Sequence, residues 1–350
     1  MQNKLKIGLF FGGKSVEHEV SLRSIKAVYK ALCDKKFEPL LFPVSKEGKI
    51  YSASSLDVFN EALSVDECVA KLNLFGIDAL SEARIDAVFS TMHGGFGENG
   101  AFQGLFDILG LAYVGPGVLG SAVAMDKDVT KRLLAHANIS VVPFSIMKSF
   151  QKDFSILESQ GFPCFIKAAS LGSSVGVYKC HNLEEAVIAA QEVFKLDSKL
   201  LVEKAIKGRE IEVAILGSDD MEASLAGEVI PHHDFYSYEA KYLDENGASF
   251  EAPAKNIDHD LLKQIALKAA KALEIQGMAR VDFFVTEENT YYINEINTLP
   301  GFTNISMYPK LFEISGKSYS ELISRLIYDA IERSNKNSQL QKTLYANLVT

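Results

Sequence analysis

The first third of the chain alternates short apolar runs with an amphipathic one, and this alternation limits the fold more than any other feature. Lys6 to Phe11, Pro39 to Pro43 and Ala87 to Met92 read as strands, whereas Ser21 to Cys33 places Leu22, Ile25, Val28, Tyr29 and Leu32 at helical spacing. Strands separated by helices pair in parallel, because each crossover returns the chain in the same direction. The N-terminal part is therefore expected to be an α/β unit on a parallel sheet. Gly115-Pro116-Gly117 punctuates the chain before the helical run Lys127 to Ala137, which sets a boundary near Gly115. Beyond it the pattern becomes α+β. Phe165 to Ala168 and Val175 to Lys179 flank a loop, and Leu183 to Phe194 carries an apolar helical face. Glu210 to Leu216 and Ala226 to Pro231 are further strands, followed by a helix from Asp258, its N-cap, to Leu273. The tail after Arg333, beginning Ser334-Asn335-Lys336-Asn337-Ser338, is polar and expected to fray.

A chain of 350 residues, 47% hydrophobic, can bury two or three cores. Lysine and arginine total 36 against 45 acidic residues, a net charge of -9, so no basic excess exists to displace counterions from nucleic acid or to hold an anionic membrane. No stretch approaches the roughly 20 apolar residues that span a bilayer. Small molecules are the expected partners and the cytoplasm the expected location. Cys33, Cys68, Cys164 and Cys180 form no Cys-x-x-Cys pair and read as reduced, mostly buried thiols.

Two phosphate-binding patterns occur by letter and fail by context. Gly8-Leu9-Phe10-Phe11-Gly12-Gly13-Lys14-Ser15 matches a P-loop, but Gly8 lies inside the apolar strand and Glu17-His18-Glu19 separates Ser15 from the next helix. Gly95-Phe96-Gly97-Glu98-Asn99-Gly100 matches a dinucleotide fingerprint, but the acidic residue about twenty positions on is missing and Glu98 lies within the loop.

A different segment carries chemistry. Arg280 to Val285 and Tyr291 to Asn297 flank a polar loop and are expected to pair antiparallel. A turn centred between Glu288 and Asn289 sets Asp282 opposite Glu295, Arg280 opposite Asn297 and Phe284 opposite Ile293, all six on one face. Two carboxylates about 5 Å apart repel by roughly 3 kcal/mol at an effective dielectric of 20, which a hard divalent cation removes. Oxygen donors without His or Cys favour Mg²⁺. The alternative is a surface cluster in which Arg280 simply pairs with the acids. Thr298 to Asn304 weighs toward a site, because a glycine turn straight after the strand lets backbone N–H groups approach a developing anion.

With these residues go others in a fixed order. They are Phe11 to Ser21, His93 to Gly100, Met125-Asp126-Lys127, Lys167 to Gly176, Glu203-Lys204, Tyr238 to Tyr242, Arg280-Val281-Asp282 and Asn294 to Thr303. Taken together, over nearly the whole chain, they resemble the ATP-grasp carboxylate-amine ligases, and within them the D-alanine:D-alanine ligases. The resemblance implies a three-domain ATP-grasp architecture with an N-terminal parallel-sheet domain. Its parts would be residues 1–115 on the first-substrate side, a central lobe 116–208, and a C-terminal lobe 209–350 that carries the metal hairpin. ATP would lie between the second and third.

By the same resemblance, Lys127 and Lys167 contact nucleotide phosphates, Ser170 to Gly176 closes over them, Glu203 and Lys204 serve the adenine side, and Glu210 holds the ribose. Asp282, Glu295 and Asn297 are the Mg²⁺ ligands, with Mn²⁺ able to substitute. Glu17 binds the ammonium of the first D-alanine and His93 lies near its carboxylate. Ser173, Ser174 and Tyr242 orient Glu17, and relatives that use D-lactate lack the tyrosine. Lys241 reaches the transferred phosphate. Arg280 and the Gly301 N–H form an oxyanion hole, and Ser306 and Met307 receive the second D-alanine carboxylate. The implied reaction is ATP-dependent formation of D-alanyl-D-alanine through an acyl phosphate, for peptidoglycan precursors, by a homodimer. Another ATP-grasp ligase, such as a D-alanine:D-lactate one, or a nucleotide-binding regulator without turnover, are the competing readings. His18, Asn99, Ala168-Ala169 and His232-His233 depart from the commoner pattern.

Overall fold

A computed structural model describes residues 4–32, 36–151, 153–232 and 247–349, with side chains described up to residue 340. Leu5–Gly12 is the centre of a three-stranded parallel sheet, paired on one side with Phe37–Val44 and on the other with Ala87–Ser90. Both neighbours shield it, so Ile7 and Leu9 to Phe11 are wholly buried. The following helix, His18–Leu32, starts three residues ahead of the apolar periodicity. The Glu17 carbonyl already accepts the Ser21 N–H there, at 2.9 Å, and the Ser15 hydroxyl accepts the Glu17 N–H at 3.1 Å.

Two antiparallel sheets follow. Phe144–Lys148, Lys199–Lys204, Cys164–Ala168 and Val177–Cys180 lie side by side in that order, with Leu183–Val193 packed against them. The second sheet runs Ala248–Glu251, Gly227–Pro231, Arg209–Gly217, Gly277–Val285, Tyr291–Asn297, with Glu222–Ala223 on the far end of Arg209–Gly217. The helix His259–Ala272 covers its back, and Asp258 caps that helix by accepting the Leu261 N–H. The α/β beginning and α+β continuation are those the hydrophobic periodicity predicts. Helix Lys127–His136 joins the two antiparallel sheets: Leu134 enters the core of the second, while the Lys127 N–H donates to Ala169 at the edge of the first.

The C-terminal tail corrects the expectation of fraying. Tyr319–Val349 is one helix, continuous through the polar run after Arg333. No glycine or proline interrupts the sequence beyond Gly316, and Lys336 pairs with Asp219 at 2.6 Å and with Glu332, one turn back, at 2.8 Å. Leu322, Ile323, Leu326, Ile327 and Ala330 of this helix enter the same core as Ile7, Leu9, Leu22 and Ile25. The last helix therefore roofs the first sheet.

Candidate active site

A cleft of about 630 Å³ opens between the two antiparallel sheets, in the range of small-molecule sites. Its floor is the hairpin of Gly277–Val285 and Tyr291–Asn297. Arg280 pairs with Asn297 and Asp282 with Glu295, as alternation predicts, but a bulge then shifts the register so that Phe283, not Phe284, faces Ile293. Asn294 is the extra residue. It joins Arg280, Asp282, Phe284 and Glu295 on the cleft side, while Ile293 turns into the apolar core behind the sheet. Ile293 is thus not on the polar face.

On this face Arg280 is gripped by two acids. Its Nε and Nη2 donate to the two Asp282 oxygens at 2.7 and 2.8 Å, and Glu212 from the neighbouring strand lies 3.1 Å from Nε. Burial opposes the charge, yet Asp282 and Glu212 outweigh it and hold the guanidinium pKa well above its ordinary value. Among the described residues no hydrogen bond falls on Nη1, so an edge of the guanidinium is left for an incoming oxygen. Asn297 donates to Asp282 at 2.8 Å and Lys127 lies 3.5 Å from Glu295. Asp282, Glu295 and Asn297 offer only oxygen donors for a cation, and among the described residues no group of three or more His, Cys, Asp or Glu is arranged to hold a metal ion by itself. Two carboxylates with substrate phosphates and water suit Mg²⁺, so the donor set fits that ion.

The lysines expected at phosphates both line the cleft. Lys127 donates to the Leu171 carbonyl at 2.7 Å, at the root of the Ser170 to Gly176 loop. Ser170 anchors this loop to Asp197, and Ser173 and Ser174 are both left-handed, with φ of 54° and 58°. Such backbone is costly for residues with a Cβ and marks a loop shaped for use rather than for stability. Lys167 bridges Glu203 at 2.7 Å and the bulged Asn294 at 3.2 Å. The Glu203 carboxylate is enclosed between Lys167 and Lys131, the latter 2.8 Å away and 1% exposed. Lys204 and Glu210 line the cleft beyond it.

Burial raises the Glu203 pKa, but Lys131 and Lys167 lower it further, to about 2. Glu203→Gln leaves the enclosed Lys131 without a counter-charge and Lys167 without its carboxylate, and is expected to cost about 3 kcal/mol, read as a fall in the urea midpoint. Since the folded value lies below the ordinary 4.5, this stabilisation is complete above pH 4.5 and is lost as pH falls toward about 2. The wild type should therefore lose part of its advantage over the variant across that window.

Outside the residues that line this cleft, the parallel-sheet unit delivers Glu17 and His93. Gly94, at φ +68°, has no Cβ, and one placed there would meet a Glu17 carboxylate oxygen at 2.6 Å, so glycine allows the acid to approach the strand end. Glu98, unassigned from sequence, is pushed up to about 8 by burial and by the charge of Glu17. His93 is 3% exposed, with Nδ1 2.8 Å from the Leu299 carbonyl and Nε2 2.9 Å from the Ser24 hydroxyl. Both ring nitrogens are engaged by the protein. Burial lowers the His93 pKa and keeps the ring neutral. It holds the turn after the hairpin through the Leu299 carbonyl.

That turn carries Gly301. A Cβ there would lie 2.7 Å from Ser306 Oγ, so a larger residue would have to displace that hydroxyl. Ser306 precedes helix Met307–Ile314 without capping it; its hydroxyl accepts the Thr303 N–H at 3.0 Å instead. The first amides of that helix are thus left for an anion. The Met307 side chain is buried and packs against Gly227, so only its backbone can meet a ligand. Lys241, Tyr242 and His233, with the rest of the Tyr238 to Tyr242 segment, lie outside the described residues. Sequence reasoning missed Ser24, Lys131 and Glu212, whose partners are distant in the chain, and Asn294, whose bulge has no glycine to announce it.

Comparison with known proteins bears on this geometry. Residues 6–116 match a family model described as D-ala D-ala ligase N-terminus, and residues 133–328 one described as D-ala D-ala ligase C-terminus. The chain is 45% identical to the D-alanine--D-alanine ligase of Oceanobacillus iheyensis, covering 97% of this chain and 99% of that one. It is 43% identical to D-alanine--D-alanine ligase A of Escherichia coli K12, covering 97% and 100%. Among solved structures, it superposes on the D-alanine-D-alanine ligase of Coxiella burnetii with a TM-score of 0.87 at 34% identity, over 99% of both chains. The VanG D-Ala:D-Ser ligase of Enterococcus faecalis gives 0.84 at 30%, over 94% of this chain and 100% of that one.

Proposed function

This chain belongs to the D-alanine–D-alanine ligase family, and we propose from that premise how its residues carry the activity. It is an ADP-forming ligase that joins two D-alanines for peptidoglycan precursor synthesis. An oxygen of the first D-alanine carboxylate takes the γ-phosphoryl group of ATP and ADP departs. The amine of the second D-alanine attacks the acyl carbon, and the tetrahedral intermediate expels inorganic phosphate while the amine gives up its proton. No protein nucleophile is needed, so the chain's work is positioning and charge stabilisation.

The observation that carries this assignment is the shared face on which Arg280, Asp282, Glu295 and Asn297 meet Lys127 and Lys167, one turn of chain from the Gly301 amide. Lys127 and Lys167 bind phosphate oxygens, and Glu203 and Asn294 hold Lys167 in place. Glu203 and Lys204 serve the adenine side and Glu210 the ribose. Ser173 and Ser174, on the loop over the phosphates, and Tyr242 orient Glu17, which binds the first ammonium; Lys241 reaches the transferred phosphoryl group. Arg280 Nη1 and the Gly301 N–H receive the oxyanion, and Ser306 and the Met307 amide receive the second carboxylate. Mg²⁺, which Asp282, Glu295 and Asn297 would hold, supplies charge neutralisation at the phosphates. The units 1–115, 116–208 and 209–350 close around these substrates in the cytoplasm, in a homodimer.

Phosphate release from ATP, measured with D- and L-alanine, D-serine and D-lactate, tests the reading. Release should require D-alanine and exceed that with the other compounds. Release independent of D-alanine sinks it.

A further inference from the structure

The turn from Leu299 to Phe302 is held by side chains from remote parts of the sequence. A carbonyl oxygen can only accept, so the 2.8 Å contact between His93 Nδ1 and Leu299 O places the ring proton on Nδ1. Nε2 is then a lone pair, and the Ser24 hydroxyl, 2.9 Å away, must donate to it. With its proton committed, Ser24 Oγ accepts the Phe302 N–H at 3.3 Å. On the other side of the same residue, the Tyr319 hydroxyl donates to the Phe302 carbonyl at 2.7 Å. Every donor direction in this chain of contacts is determined, and Gly301 sits inside it. Ser24 is completely buried and lines no part of the cleft. It belongs to helix His18–Leu32, about two turns beyond the end at which Glu17 enters.

We propose that Ser24 is a positioning residue for ligation: through His93 and through the Phe302 N–H it fixes the turn that aims the Gly301 amide, and it ties that turn to the helix entered from Glu17. The inference rests on the reading of Gly301 as an oxyanion donor. Its logic is that of a determined network. Removing the hydroxyl leaves a ring nitrogen and an amide without partners in a dry place, and the turn regains freedom that the transition state cannot tolerate. A serine that merely filled space would tie nothing to the reaction. The geometry couples the first-substrate side of the cleft to the oxyanion side by one side chain.

The test uses the full chain with Ser24→Ala, Ser24→Cys and Tyr319→Phe, and the double variant Ser24→Ala/Tyr319→Phe. Ser24→Ala should lower kcat by about 10- to 100-fold, a part of what loss of an oxyanion donor costs, with KM for ATP within about twofold of wild type. The isosteric Ser24→Cys, a weaker donor, should fall between and guards against a folding defect. Hydrogen exchange at the Phe302 amide should accelerate, and the double variant should lose less than the product of the single losses, because both hydroxyls hold one residue. Unchanged kcat with Phe302 still protected overturns the role of Ser24 and leaves the Gly301 reading standing. Rapid exchange at Phe302 with unchanged kcat means that the turn is not catalytic, and then both fall. A loss of kcat that comes with an equal rise in KM for ATP also overturns the proposal, since it reports general damage.

Discussion

Arg280→Lys should lower kcat by about two to three orders of magnitude while leaving the protein folded. The variant keeps a cation between Asp282 and Glu212, so the buried acids retain their counter-charge and the denaturation midpoint should move little. What it loses is the fork. Arginine occupies Asp282 with Nε and Nη2 and still has Nη1 for the oxyanion, whereas a single ammonium cannot satisfy a bidentate carboxylate and reach a reacting oxygen as well. Steady-state kinetics with saturating ATP and D-alanine, beside a urea titration, separates the two effects. Turnover within tenfold of wild type would remove Arg280 from the oxyanion site.

Glu295→Gln is expected to abolish turnover through loss of the metal, with a kcat below about a thousandth of wild type. The substitution is isosteric and the residue lies on a partly open face with Lys127 at 3.5 Å, so the fold should survive. Binding of Mn²⁺ in the presence of ADP, followed by the ion's paramagnetic signal, should weaken in step with activity. Normal turnover in this variant would refute the metal assignment; lost turnover with undiminished Mn²⁺ binding would transfer the role of Glu295 to orienting Lys127.

Much of this site was legible because it is local. Asp282 and Glu295 face each other through a turn only a few residues long, and period-two alternation was enough to pair them and to pair Arg280 with Asn297. The alternation failed one step further, at Phe284 and Ile293, since a bulge made by Asn294 among other polar residues changes neither composition nor turn signals. The enclosed Lys131–Glu203–Lys167 group was illegible for a different reason. Helix and strand residues far apart in sequence supply it, and a lysine at helical spacing reads as a solvated one until its partner is known. Ser24 belongs with these, as a small polar residue on a helix face otherwise read from Leu22, Ile25 and Val28. The tail was misjudged because asparagine and serine lower helix propensity only modestly, and ion pairs with Asp219 and Glu332 and the packing of the preceding turns outweigh that.

The roof that Tyr319–Val349 places over the first sheet also dictates a schedule. Strand Leu5–Gly12 and helix His18–Leu32 leave the ribosome about 300 residues ahead of Leu322, Leu326 and Ile327, with which they share apolar surface. At about 5–20 residues per second that lag is on the order of tens of seconds. During it, the two ends of one core exist as separate, partly uncovered halves. The nascent chain thus depends on whatever shields Leu22 and Ile25 in the interval, and a message truncated before Tyr319 yields a product that never completes its oldest core.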